Sequence, residues 1–140
     1  MAVQIDTTYQ GDLHCVATHG PSGVTLTTDA PEDNHGRGES FSPTDLVATA
    51  LGTCVVTILG IQAEKHDLDL EGMEISVEKE MASNPRRIDT LRAEIHMPRP
   101  LNASMRRRLE HAARHCPVHE SIHPDIDAPI TFHWPLDEAA

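Results

Sequence analysis

The chain has 140 residues, a length that suits one domain built around one hydrophobic core. It carries 22 acidic and 11 basic side chains, for a formal net charge of −11, which argues against nucleic acid or an anionic membrane surface as a partner. Three cysteines and a polar, acidic N-terminal stretch without an apolar export segment favour reduced thiols over a disulfide scaffold. We therefore expect a single cytoplasmic domain over residues 1–140.

The first elements are predicted to be strands. Residues 3–28 alternate apolar and polar side chains and contain several β-branched residues, with turn signals at 11–12 and 20–23. This pattern predicts three short antiparallel strands. A polar loop containing proline and glycine then covers residues 29–40, and a loop of this length inside a compact domain is often functional.

A long helix is predicted over residues 42–66. Ser42 suits the N-cap, Pro43 the first helical position, and Asp45 completes a capping box with Ser42. Both faces are largely apolar, which predicts a central buried helix, and its threonines and Gln62 argue against a membrane span. Threonines at every fourth position beside two glycines predict that another helix packs closely against it.

The second half of the chain predicts a strand pair, two helical segments and a last strand. Asn102 suits the N-cap of the first of these helices. In chain order the predicted elements are strands over 70–81 and 88–97, a helix over 103–115, a short helical turn over 118–122 and a strand over 130–134. The order of strands and helices predicts an α+β fold with mostly antiparallel pairing.

Two cysteines lie in very different surroundings. Cys54 stands midway along the apolar helix, whereas Cys116 ends a basic amphipathic helix and is followed directly by Pro117. A buried, inert thiol is the simplest interpretation of either cysteine alone. If the fold brings them together, one thiol could attack an oxidant and the other could resolve the product. Cys15 lies on a predicted strand and is interpreted as a core residue without a role.

Two motifs resemble those of a known family. The segment Phe-Ser-Pro-Thr-Asp-Leu-Val-Ala-Thr-Ala-Leu-Gly-Thr-Cys at 41–54 resembles the first-cysteine helix of the OsmC/Ohr family, and Cys-Pro-Val at 116–118 resembles its second-cysteine motif. The resemblance implies an OsmC/Ohr-like α+β fold, with a mostly antiparallel sheet packed on a long central helix, in an intertwined homodimer.

The same resemblance implies a function in oxidative stress defence. It identifies the chain as a thiol-dependent reductase of organic hydroperoxides, and in some members also of hydrogen peroxide, that uses neither cofactor nor metal. Cys54 would be the peroxidatic residue and Cys116 the resolving residue. An external dithiol of the lipoyl or thioredoxin type would reduce the disulfide between them.

The chain departs from the family pattern around the first cysteine. In such hydroperoxidases an arginine from the N-terminal strand region and a glutamate ten residues before the first cysteine support the thiolate. Here the first arginine is Arg37, and Thr44 stands ten residues before Cys54. Arg37 is predicted to replace the missing cation, with Glu39 as the acid that orients it. Solvated charge on a surface loop is the alternative for both residues.

Two other functions remain open from the sequence. One is a redox-silent relative of the same fold that binds a small apolar ligand. The other is a metal-binding protein, because two histidines four residues apart on one helix are a common pair of metal ligands. The candidate ligands of that second function are His111, His115, Cys116, His119 and His123.

Overall fold

A computed structural model describes residues 1–136 of the chain. The elements are the strands β1 (Ile5–Gly11), β2 (His14–His19) and β3 (Thr25–Asp29), a 3-10 turn (Glu32–Asn34), the helix α1 (Pro43–Lys65), the strands β4 (Glu74–Ala82) and β5 (Arg87–His96), the helices α2 (Ala103–Arg114) and α3 (Pro117–Ser121), and the strand β6 (Ile130–His133). This order confirms the predicted α+β fold. The chain divides into two compact units, residues 1–47 and residues 48 onward. The single domain over residues 1–140 stays a prediction.

The N-terminal unit is built on an antiparallel sheet in the order β1-β2-β3, which confirms the three predicted strands. Side chains alternate between the faces of a strand, and the register places Ile5, Tyr9 and Leu26 on one face of this sheet. All three are exposed in the single chain. The sheet therefore presents an open apolar face.

The start of α1 is fixed by a reciprocal capping box. The Asp45 backbone N–H donates to Ser42 Oγ at 3.1 Å, and the Ser42 backbone N–H donates to Asp45 Oδ2 at 2.9 Å. Ser42 itself is buried. The predicted cap is confirmed, and it satisfies backbone donors that a helix start leaves unpaired.

Only one face of α1 is buried in the single chain. Three or four residues separate most of its buried positions, which are Ala48, Leu51, Gly52, Val55, Leu59 and Ala63. Thr49, Thr53, Thr57 and Ile61 are exposed, so the prediction of a helix buried on both faces is wrong for one chain. By length and composition α1 could cross a membrane, a test that core helices of soluble proteins also pass, and 33% of its most apolar window is buried.

The C-terminal unit contains a second sheet in the order β4-β5-β6. β4 and β5 pair antiparallel, as predicted, whereas β5 and β6 pair parallel. The fully buried side chains of this unit include Leu51, Leu59, Leu91, Ile95 and Leu109.

Gly52 marks a close approach between α1 and β4. A Cβ atom at this position would lie 3.2 Å from Val77 Cγ2 and 3.6 Å from Ile75 Cγ2. Because Gly52 has no side chain, strand β4 packs closely against α1 at this point. The sequence predicted a helix as the close neighbour.

Candidate functional site: two thiols at a small cavity

Cys54 lies on the wall of a cavity of about 370 Å³ in the C-terminal unit. Residues of α1 three or four positions from Cys54 share its face of the helix and line the same cavity, as does its chain neighbour Thr53. The lining residues are Ala50, Thr53, Cys54, Thr57, Ile58, Pro117 and Val118. None of these described lining residues carries a charge, so the cavity suits a small, mostly apolar molecule.

The hydroxyl group of Thr53 is satisfied inside its own helix. Thr53 Oγ1 donates to the backbone oxygen of Thr49 at 2.9 Å and lies 3.3 Å from that of Ala50. Such bonds to the preceding turn are common for threonine in helices. Thr53 therefore needs no polar partner from a molecule in the cavity.

Cys116 is fully buried and forms the N-cap of α3. Its Sγ accepts a hydrogen bond from the backbone N–H of His119 at 3.4 Å. Pro117 follows at the first helical position, where its missing N–H costs no hydrogen bond. The Cys-Pro-Val sequence is thus the start of a short helix, with sulfur in the place of the usual capping oxygen.

The fold brings the thiols of Cys54 and Cys116 together. Burial raises the pKa of the Cys116 thiol, the His119 amide opposes that shift, and a hydrogen bond and like charge from the Cys54 side chain raise the pKa further. Both cysteines are free thiols in this structure. Two thiols that interact directly are the minimum requirement for a redox pair.

Arg37 and Glu39 belong to the N-terminal unit. Arg37 Nη1 lies 3.7 Å from Glu39 Oε1, and both side chains are more than half exposed. The predicted pairing of these two residues is therefore present as a surface ion pair. Their support of the Cys54 thiolate stays a prediction.

The candidate metal ligands of the second half do not converge on one point. His115 Nδ1 lies 2.9 Å from Glu120 Oε1, His123 Nδ1 lies 3.8 Å from Asp125 Oδ2, and His119 Nε2 lies 3.2 Å from the backbone oxygen of Ala128. Within residues 1–136, three or more potential ligand atoms of this kind gather at one place only, in the N-terminal unit. The geometry gives no support to a metal site at Cys116.

The sequence patterns identified both thiols but not the other residues that line the cavity beside Cys54. Thr53 and Thr57 were interpreted as a packing surface, although they lie one and three positions from Cys54. Helical spacing from Cys54 could have identified Thr57, whereas Thr53 is simply its neighbour in the chain. Cys15 is half-buried on the same face of the N-terminal sheet as Tyr9, so it is not a fully buried core residue.

Known proteins share the sequence pattern and the fold of this chain. The family model described as OsmC-like protein matches residues 36–130. A proposed osmotic stress induced and detoxification response protein from Psychrobacter arcticus is 43% identical, with a TM-score of 0.89 over 92% of this chain and 94% of its own. No curated protein sequence matches.

Two more distant structures share the fold. An organic hydroperoxide resistance protein OsmC from Legionella pneumophila has 17% identity and a TM-score of 0.76 over 94% of this chain and 96% of its own. A proposed organic hydroperoxide resistance protein from Vibrio cholerae, with captopril in one of its active sites, has 19% identity and a TM-score of 0.68 over 92% of this chain and 90% of its own. With a family model that covers most of the chain and a relative at 43% identity, the protein belongs to the OsmC-like family.

Proposed function

We propose that the protein reduces organic hydroperoxides, with Cys54 as the peroxidatic residue and Cys116 as the resolving residue. The observation that carries this proposal is that the Cys54 side chain, on the wall of a small uncharged cavity, interacts with the Cys116 thiol and helps to raise its pKa. The resistance proteins named above share the fold and so make the reaction class reasonable.

The reaction proceeds in two steps on the protein. The Cys54 thiolate attacks one oxygen of the O–O bond, which breaks; with one proton taken up, the products are an alcohol and Cys54 sulfenic acid. The Cys116 sulfur then attacks the Cys54 sulfur, and the hydroxyl group leaves as water with the Cys116 proton. The hydroperoxide is reduced by two electrons, and the thiol pair is oxidised to a disulfide.

The cavity favours an organic over an inorganic peroxide. Burying an alkyl or aryl group against uncharged side chains such as Ala50, Ile58 and Val118 adds binding free energy that hydrogen peroxide cannot gain. We therefore expect a higher kcat/KM for cumene hydroperoxide than for hydrogen peroxide.

An external dithiol closes the cycle. It attacks the Cys54–Cys116 disulfide, forms a mixed disulfide and leaves as its own disulfide, which returns both thiols. Lipoyl and thioredoxin-type dithiols of the cytoplasm are the proposed reductants. Measuring the steady-state turnover rate with each dithiol separately identifies the one that reduces the disulfide.

The reaction is tested by counting thiols. The reduced wild-type chain has three cysteines, and one equivalent of cumene hydroperoxide should consume two thiols and form a Cys54–Cys116 bridge, mapped by mass spectrometry. C116S should stop at a sulfenic acid that dimedone traps. C54S should not react at the same rate.

C15S is the matched control, because it removes a half-buried thiol outside this pair and should behave as wild type. Unchanged thiols in the wild type across a panel of organic peroxides would contradict the proposal. So would a C54S variant that oxidises as fast as the wild type.

Binding without redox chemistry is the second candidate function. The observation in its favour is that no cation is among the described lining residues of the cavity, so that wall offers a thiolate no opposite charge. In that case the thiols stay reduced, yet cumyl alcohol binds in a saturable manner, and Ala50→Phe, which fills the cavity, abolishes the binding measured by calorimetry.

A further inference from the structure

Three side chains gather at one end of the N-terminal sheet. His14 at the start of β2 pairs in register with Asp29 at the end of β3. Glu39 comes from the loop that follows, and its backbone N–H donates to Asp29 Oδ2 at 2.9 Å. One potential metal-ligand atom from each of these residues lies within 4.8 Å of the other two.

Asp29 is an unusual member of this group because its side chain is fully buried. Its Oδ1 accepts no hydrogen bond from residues 1–136, although His14 Nε2 lies 3.3 Å away, within ion-pair distance. A buried carboxylate oxygen without a hydrogen bond is costly and rare in folded proteins.

The carboxylate of Asp29 is nevertheless kept ionised. The Glu39 amide is the main cause that lowers its pKa, helped by the charge of His14 and the amides of Arg37 and Ala30, and burial opposes the shift. The amides are main-chain donors that stay in place when side chains move. The site thus holds a buried carboxylate whose Oδ1 has no hydrogen-bond donor among residues 1–136.

We propose that His14, Asp29 and Glu39 bind one divalent cation of the manganese-to-zinc series. An imidazole nitrogen and two carboxylates are ligands that these ions accept, and water would complete the coordination. The net charge of −11 favours a cation over an anion at this position.

Binding requires only side-chain movement. Ligand atoms lie about 2.0–2.2 Å from zinc in proteins, so the three atoms must draw closer together than they are now. The Asp29 carboxylate is fixed by the Glu39 amide, whereas the side chains of His14 and Glu39 are 27% and 56% exposed and can turn inward. Glu39 would leave its exposed partner Arg37, a pair that contributes little in solvent.

Mn²⁺ is the sharpest probe, because thiols and surface histidine pairs bind it weakly, whereas carboxylates bind it well. Full-length protein without a histidine tag is titrated with Mn²⁺, and the free ion is counted by electron paramagnetic resonance. We expect one bound ion per chain and a rise in the thermal unfolding midpoint with added Mn²⁺.

The variants H14Q and E39Q separate this site from other acidic groups. Each should weaken Mn²⁺ binding by about tenfold or more, since even indirect metal-site contacts are worth about 10–100-fold. Both keep Asp29, and E39Q also keeps the backbone amide that fixes it, so folding should survive. Glu71→Gln is the matched control, because it removes the same charge from an exposed turn and should bind as wild type.

Two results would overturn the proposal. One is wild-type protein that binds no Mn²⁺ at millimolar concentration, which would leave Asp29 as a purely structural anchor of the loop. The other is H14Q and E39Q binding Mn²⁺ as tightly as E71Q, which would move the bound ion elsewhere on the acidic surface.

Discussion

The buried Cys116 thiol sets the expected pH dependence at the scale of single residues. Its pKa is raised, chiefly by burial, so at neutral pH most Cys116 is protonated, and only the thiolate attacks efficiently. Since the thiolate fraction grows as pH rises toward the pKa, disulfide formation from the Cys54 sulfenic acid should accelerate about tenfold per pH unit above pH 7.

The measurement is a pH jump. Sulfenic acid is formed at pH 7, the pH is raised, and dimedone-trappable protein is followed with time. As a control, C116S sulfenic acid is captured by an external thiol that is already ionised at pH 7, which should show a flat profile. A flat profile for the wild type would contradict the assignment of Cys116 as the resolving thiol.

Single residues were predictable where a motif named them. Cys54 and Cys116 follow from their sequence contexts, but the burial that raises the pKa of Cys116 depends on packing that no local pattern encodes. His14 and Asp29 are 15 positions apart and meet only through the β2–β3 register. No spacing pattern in the sequence predicts that these two side chains lie close together.

At the scale of elements, the capping box at the start of α1 should be measurable. Ser42→Ala removes the oxygen that accepts from the Asp45 amide and should lower the free energy of unfolding by about 1 kcal/mol. Chemical denaturation gives the value. Ser104→Ala makes the same change at an exposed position inside α2 and should cost nothing; equal losses in the two variants would contradict the role of the cap.

The contact between Gly52 and β4 gives a second test at this scale. Gly52→Leu places a side chain where even a Cβ atom would lie 3.2 Å from Val77 Cγ2, and overpacking of this kind costs about 1–3 kcal/mol or more. Gly60→Ala is the control, since a Cβ there meets nothing within 4 Å, and it should stabilise the helix by about 0.5–1 kcal/mol. The thermal unfolding midpoints of both variants test this prediction. A similar loss of stability in the two variants would contradict the close approach of α1 and β4 at Gly52.

The helices were predicted well because their caps are local. Ser42, Asp45 and Asn102 fix the starts of α1 and α2 through side-chain bonds within three residues. The element that packs against Gly52 was not predictable. A glycine in a helix allows close approach of a neighbouring element, but it does not indicate whether that element is a helix or a strand.

At the scale of the whole molecule, the open apolar surfaces need an explanation. Tyr9 is 64% and Leu26 45% exposed on the same sheet face, and the threonine face of α1 is also open. Apolar patches of this kind commonly mark interaction surfaces. We propose that a second copy of the chain covers them, as the family resemblance implied.

The proposal predicts twice the mass of one chain in sedimentation equilibrium. Leu26→Asp should shift the equilibrium toward the monomer, because a charge would be buried without a partner. Thr25→Asp adds the same charge on the opposite face of β3 and serves as the control. A monomeric wild type, or equal behaviour of the two variants, would contradict the dimer.

The overall architecture was the most predictable level. Alternation, caps and turn residues recovered the order of strands and helices, because each of these signals is local. The exposed face of α1 was not predicted. An apolar helix is predicted to be buried, but its sequence does not show whether its own chain or another chain covers it.

The capping sulfur of α3 has a consequence for the reaction cycle. The Cys116 Sγ that accepts from the His119 amide is the atom that would enter the disulfide, and Pro117 and Val118 next to it form part of the cavity wall. Oxidation would weaken this cap, so the first turn of α3 should loosen and the cavity should open after each turnover. Amide hydrogen exchange at His119 should therefore be faster in oxidised than in reduced protein, which would couple release of the proposed product to the oxidation state of the two thiols.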